Sequence, residues 1–263
     1  MKKMLAMLLA LTMVFGFAAC GGNDSAADDA PPVYAVEAGS AGEAAALENG
    51  WEINPVVDMA TALMEVESGN SDAAIIDLLM AGAMIGEGTS YPNLKYSDKL
   101  TSEEYGVGCR QGSDLVDVIN AVFSATYADG SMQAIAKEYG VQESLCEQPA
   151  GLTWEAAADG DVAAIQKAGK LVVGITEFAP MDFKEAGSDE WVGFDADMAR
   201  LVAKELGVEI EFVVIDWDMK INEINAKNID CVWNGMTLTA EVTSAMDCSA
   251  PYCNNAQVVV VAK

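Results

Sequence analysis

Two stretches of the chain repeat one alternation of apolar and polar positions. The first runs from VYAVEAG at residues 33–39 through SAGEAAALEN, EINPVVD and MATALMEVE to DAAIID, which ends at Asp77. Short Val, Ile and Ala runs suit strands and the segments between them suit helices, so the order is strand, helix, strand, helix, strand. The second stretch begins with LVVGIT at 171–176, continues through a helix over 194–206, EIEFVVID and a helix over 217–228, and closes with IDCVWNG at 229–235. Within 194–206, apolar side chains recur at Phe194, Met198, Leu201, Val202 and Leu206. That spacing puts one stripe on a core, and Gly207 supplies the stop. Strands of nearly continuous apolarity imply a parallel sheet covered by helices on both faces. Each stretch therefore predicts a small α/β lobe whose ligand-binding edge lies at the carboxyl ends of its strands. By that topology Gly39, Asp77, Thr176, Asp216 and Gly235 converge on a cleft between the lobes.

Between the two units, LKYSDKLTSEEYGVGCRQG at 94–112 reads as an extended crossing. Helices over 113–127 and 131–139 follow, with apolar faces at Leu115, Val118, Ile119 and Val122 and at Met132, Ile135, Ala136 and Tyr139. Residues 147–160 carry the breakers Pro149 and Gly151 and read as a linker, able to span roughly 45 Å when extended.

The first residues change the picture of where the chain works. Lys2 and Lys3 precede an apolar run over 4–17, shorter than the roughly 20 residues of a spanning helix, and then Ala18, Ala19, Cys20 and Gly21. This predicts a signal peptide over 1–19, with Cys20 as a lipidated first residue and 20–32 as a Gly, Asn, Ser, Asp and Pro tether. Phe17 stands where leucine is commoner in such signals, and an ordinary cleavable signal is the alternative. The chain has 14 basic and 41 acidic residues, a formal net charge of −27. That balance repels nucleic acid and anionic headgroups, so membrane attachment falls to the lipid. No histidine is present, which removes imidazole bases, the usual catalytic triads and His-ligated zinc. Cys109, Cys146, Cys231, Cys248 and Cys253 are odd in number, so at least one stays unpaired; Cys231 reads as core, and Cys248 and Cys253 are close enough in sequence to pair.

At this point the residues resemble a family, the type 3 solute-binding proteins that deliver polar amino acids to ABC importers. KLVVGIT, PMDF, GFDADMARLVAKELG, IDWD, GMTLT and AQVVVVAK stand in 170–263 in that family's order for its first lobe. A GS-containing loop, DAAIID and YGVGCRQG, which resemble its second lobe, stand earlier, in 33–146. The resemblance implies an α/β, two-lobed periplasmic binding protein-like fold (type II) with its lobes in permuted order. Residues 33–94 would be the equivalent of the second lobe, 95–146 the hinge crossing and helices packing on the other lobe, 147–160 the joint between the old ends, and 161–263 the first lobe. It also implies a hinge of two paired strands, one a free C-terminal end at 257–263, with 94–112 as the only covalent bridge and a looser opening motion.

The resemblance further implies a ligand site. Asp77 would meet an α-ammonium, although an aspartate there also suits an N-cap. Gly39, Ser40, Ala41 and Gly42 resemble a carboxylate-holding helix start, with an ordinary helix start as the alternative. Phe178 and Trp217 match positions of rings that sandwich the ligand, and both also suit a core. Glu177 would tune side-chain preference, and Asn234, Gly235 and Thr237 would offer polar partners unless they serve sheet-end hydrogen bonding. One departure stands out: Val242 occupies the place of the family's carboxylate-clamping arginine. Backbone amides alone, a relocated lysine, or a ligand other than an amino acid would each accommodate that loss. The acidic residues favour a cationic amino acid or polyamine-like ligand. The expected partners are this small molecule, an ABC permease and the membrane through the lipid anchor, for a monomer outside the cytoplasm that needs no cofactor or metal. The alternatives are a sensing receptor without transport, a dehydratase-like enzyme using Glu177 or Glu104 as acid, and a decayed scaffold that binds nothing specific.

Overall fold

The computed structural model describes residues 30–263. The signal, Cys20 and most of the tether lie outside the described residues. The first unit forms β1 (Val33–Glu37), α1 (Ala41–Glu48), β2 (Glu52–Val56), α2 (Met59–Glu67), β3 (Ala73–Asp77), α3 (Leu78–Met84) and β4 (Leu94–Lys99). The crossing continues as β5 (Glu103–Tyr105) and β6 (Gly108–Cys109), followed by α4 (Leu115–Asp129) and α5 (Ser131–Glu138). Residues 147–160 contain no helix or strand, and a further helix, α6 (Asp161–Ala168), precedes the second unit.

That unit comprises β7 (Lys170–Ile175), a β8 (Phe183–Lys184) and β9 (Trp191–Val192) hairpin, α7 (Phe194–Leu206), β10 (Glu209–Val214), α8 (Lys220–Asn225), β11 (Cys231–Val232), α9 (Ala240–Ala245) and β12 (Asp247–Cys248). The chain ends with β13 (Cys253–Asn255) and β14 (Gln257–Ala262). The periodic segment 194–206 is a helix over its whole length, ending at Gly207 in the left-handed conformation, and Phe194, Met198, Val202 and Leu206 are buried. The segment read as one helix over 217–228 is instead a 3-10 turn (Trp217–Met219) leading into the short α8.

Two five-stranded sheets result, in the orders β2-β1-β3-β14-β4 and β10-β7-β11-β6-β12. Each borrows a strand from the other half of the sequence. β6 lies antiparallel between β11 and β12, and β14 lies antiparallel between β3 and β4. β5 and β13 pair antiparallel where the chain passes between the sheets. This corrects the reading of 161–263 as one lobe and of 94–112 as the only bridge: the last strand returns to the first sheet, so two crossings join the lobes. Nor is that strand a loose end. Val258 and Val260 are fully buried, and both backbone edges are paired, because the gap between β3 and β4 needs a strand to complete the sheet's hydrogen bonding. The helices α4 and α5 pack on α7 of the second lobe. Cys109 and Cys231 are opposite one another on β6 and β11, and all five described cysteines are free thiols, Cys248 and Cys253 included.

Among the described residues, no helix is long and apolar enough to cross a membrane.

Candidate functional site

The strand ends of both sheets face a cleft of about 300 Å³. It is lined from the first lobe by Glu37, Gly39, Ser40, Ala41 and Asp77, and from the second by Thr176, Phe178, Trp217, Lys220, Asn234, Gly235, Thr237 and Val242. Nine of the eleven ligand-contact residues expected from the sequence are thus brought together. Two are not. Gly42 sits behind the cleft, where an added Cβ would lie 2.9 Å from the Ile75 carbonyl oxygen, so its small size serves the packing of α1 on β3. Glu177 is exposed and lines a separate hollow with Asp58, Lys184 and Asp216, because the chain turns its side chain outward after β7.

Asp77 ends β3 and is 2 % exposed. It occupies the N-cap position of α3 yet makes no capping hydrogen bond with its side chain. Its Oδ1 instead accepts from Gln257 Nε2 at 2.8 Å and from Asn255 Nδ2. The same two amides reach Glu103 Oε2, at 3.0 and 3.3 Å, tying the two carboxylates across the hinge strands. Burial first, and the charge of Glu103 second, push Asp77 up to about 7.

Glu37 ends the neighbouring strand, 2 % exposed, with Oε1 unpartnered. Burial and then Asp77 hold its carboxyl well above the usual range. Two buried acids on one wall, one of them with an unpartnered oxygen, make the cleft a cation-seeking one. Sequence reading missed Glu37, although its place at the end of the strand beside β3 was visible.

Ser40 N-caps α1, and Glu43 reaches back to the residue before the cap. Ser40 Oγ accepts from Glu43 N at 3.1 Å, and Glu43 Oε2 accepts from Gly39 N at 2.7 Å. Glu43 thereby occupies one amide of the loop, while the first-turn amides of Ala41 and Gly42 have no intrahelical acceptor. Across the cleft, Trp217 is 7 % and Phe178 2 % exposed, the latter packed edge-on against Tyr105. Three polar positions are already engaged. Asn234 is bonded to both the amide and the hydroxyl of Thr176, Gly235 N donates to Asp195 Oδ2, and Thr237 Oγ1 donates to Glu103 Oε2. Behind Gly235, Asp195 also accepts from Tyr252 and shares a sealed space with Asp182; burial raises both acids.

Val242 is buried and lines the cleft with no charge to offer, and the buried cation of the cleft is Lys220. Three residues beyond Trp217, it falls on the same side of the helical turn, a spacing the sequence contained. Its Nζ donates to the Gly39 carbonyl of the other lobe at 2.8 Å and to the Trp217 carbonyl at 3.1 Å. The lobes touch at this point. A Cβ built on Gly39, whose φ is +71°, would lie 2.6 Å from Asp218 Cα. Gly39→Ala is therefore expected to weaken ligand binding about tenfold by obstructing closure. Calorimetric titration checks this, and unchanged affinity would mean that the lobes need not meet here.

Residues 171–263 match the family of bacterial extracellular solute-binding proteins, family 3. Over 95 residues the chain is 35 % identical to an arginine-binding extracellular protein of Bacillus subtilis, covering 36 % of each chain. It is 34 % identical over 110 residues to an L-cystine-binding protein of the same organism, covering 41 % of this chain and 40 % of the relative. The chain thus spans well under half the length of these curated relatives. Among solved structures, an ancestral cationic amino acid solute-binding protein is 39 % identical over 32 % of this chain and 36 % of its own, with a TM-score of 0.31. The matched segment supplies Thr176, Phe178, Trp217, Lys220 and Asn234 to the cleft, while Glu37 and Asp77 come from outside it.

Proposed function

We propose that the protein is an extracytoplasmic receptor that captures a polar or cationic amino acid and delivers it to an ABC importer, tethered by a lipidated Cys20 and acting as a monomer. The observation that carries this reading is the cleft itself, which sets the buried acids Asp77 and Glu37 opposite Trp217 and Phe178. The family match over 171–263 supports it, as do relatives whose names state amino-acid binding. Asp77 takes the ligand's α-ammonium, the two aromatic side chains flank its side chain, and Gly39, Ser40 and Ala41 face its carboxylate. Ligand contacts to both lobes favour the closed form, which the transporter then reads. No bond is made or broken in this cycle.

We read the order of the lobes as a circular permutation of the family's order. The linker 147–160 joins α5, which packs on the second lobe, directly to α6 and the start of that lobe, as the joining of two formerly free ends requires.

A thermal-shift panel of the twenty amino acids with putrescine and spermidine tests the function. A true ligand at 100 times its Kd is expected to stabilise the protein by about 2.7 kcal/mol. A response to a polar or cationic amino acid supports the reading. A response to dicarboxylates alone removes the cationic preference, and no response to any compound removes the receptor function.

A further inference from the structure

Lys220 is an ammonium group in an unusual position. The residue is 7 % exposed, its Nζ lies 4.9 Å from the Trp217 ring centre, and its hydrogen bonds go to two main-chain carbonyls. It forms no ion pair among the described residues. Burial lowers its pKa, against the pull of Glu241 and Glu37. A buried charge without a counter-charge in contact is costly, and carbonyl dipoles compensate it only in part.

Glu241, Glu37, Asp218 and Glu43 lie within electrostatic reach, and none of them is in ion-pair contact with Nζ. Nζ reaches the Gly39 carbonyl immediately before the N-terminus of the eight-residue α1, where unpartnered amides and the helix dipole also favour negative charge. In the first lobe the unpartnered Glu37 Oε1 calls for a hydrogen-bond donor, which a ligand ammonium supplies. A ligand with one carboxylate and at least one cationic group satisfies both ends at once, and a simple amine satisfies only the acids.

We infer that Lys220, together with the start of α1, is the receptor for the ligand's carboxylate, and that this lysine makes the cleft select amino acids over the corresponding amines. The inference rests on the reading of the cleft as an amino-acid site. Because Lys220 belongs to the second lobe and α1 to the first, a carboxylate held between them is fully compensated only when the lobes are closed. Lys220 thus ties recognition of the carboxylate to closure.

Calorimetric titration of the full chain with three pairs tests this: L-arginine with agmatine, L-lysine with cadaverine, and L-histidine with histamine. The wild-type protein is expected to bind at least one amino acid and to prefer it to its amine. Lys220→Met is expected to lower affinity for that amino acid by about 30-fold or more, the effect of removing one partner of a buried charge pair. Its affinity for the amine should change by less than about threefold, since no carboxylate is present to lose. Lys220→Gln, which keeps a donor for the Gly39 carbonyl, should show the same split and guards against a folding defect in the methionine variant. Equal losses for amino acid and amine, or no loss for either, would overturn the carboxylate role and leave the receptor function standing. A wild-type protein that binds none of the three amino acids would sink the cationic amino-acid reading and this inference together.

Discussion

Asp77→Asn is expected to abolish most ligand binding while leaving the empty protein as stable as before or more so. The two effects separate because the carboxylate is held in place by donors that an amide oxygen also satisfies. Asn255 and Gln257 both donate to Oδ1, and an asparagine at 77 presents an oxygen of the same shape to them. What the substitution removes is the negative charge facing the cleft. Loss of one partner of a buried, charge-assisted contact costs about 2 to 5 kcal/mol, so affinity should fall about 30-fold or more. Stability moves the other way because Asp77 titrates near 7 in the folded protein against an ordinary value of 3.8. A carboxyl whose folded pKa is raised binds more protons folded than unfolded between about pH 4 and pH 7. Its contribution to stability is therefore greatest below that window and is lost as pH rises through it. Asp77→Asn removes this term, so melting temperature should depend less on pH between 5 and 7.5 than in the wild type. Titration calorimetry and melting curves at several pH values check both halves. A variant that binds as tightly as the wild type would exclude Asp77 as the ammonium receptor.

Local pattern carried the two α/β units a long way. Runs such as DAAIID and EIEFVVID are strands, and the stripe from Phe194 to Leu206 is a helix on the core, because each is decided by near neighbours and by one buried face. Asp77 and Trp217, 140 positions apart, share the cleft because both end or follow a strand, and strand ends of such sheets share an edge. Side-chain direction at an irregular turn is another matter. Glu177 leaves the end of β7 pointing outward and Gly42 is consumed by packing, neither of which spacing alone decides. Lys220 was passed over because a lysine in DMKINEI looks like a solvated helix position. Only the approach of Gly39 from a distant segment buries it.

The sequence pairs the last strand with the 94–112 crossing, as the structure does, but the same limit hid how firmly that strand is held between β3 and β4, and the resulting prediction is severe. Deleting residues 257–263 is expected to leave the first lobe without a cooperative unfolding transition. β14 pairs with β3 through Gln257, Val258, Val259 and Val260, and with β4 through Val258, Val260, Val261 and Ala262. Its removal detaches β4 and leaves the inner edge of β3 unpaired. It also strips Val258 and Val260, both fully buried, from the core. Each buried valine is worth about 1.5 to 3 kcal/mol. With the lost ladder, the deficit approaches the roughly 5 to 15 kcal/mol that holds a whole domain together. The deletion also removes Gln257, one of the donors that positions Asp77, so binding should disappear with the fold of this lobe. A synthetic peptide of residues 257–263 added in excess should restore part of both, since the vacated place is a strand site with two edges to fill. Hydrogen exchange on the intact chain offers a check without deletion: the amides of 258–261 should exchange as slowly as those of β3. Exchange as fast as that of an exposed loop would show that the terminal strand does not hold the sheet together.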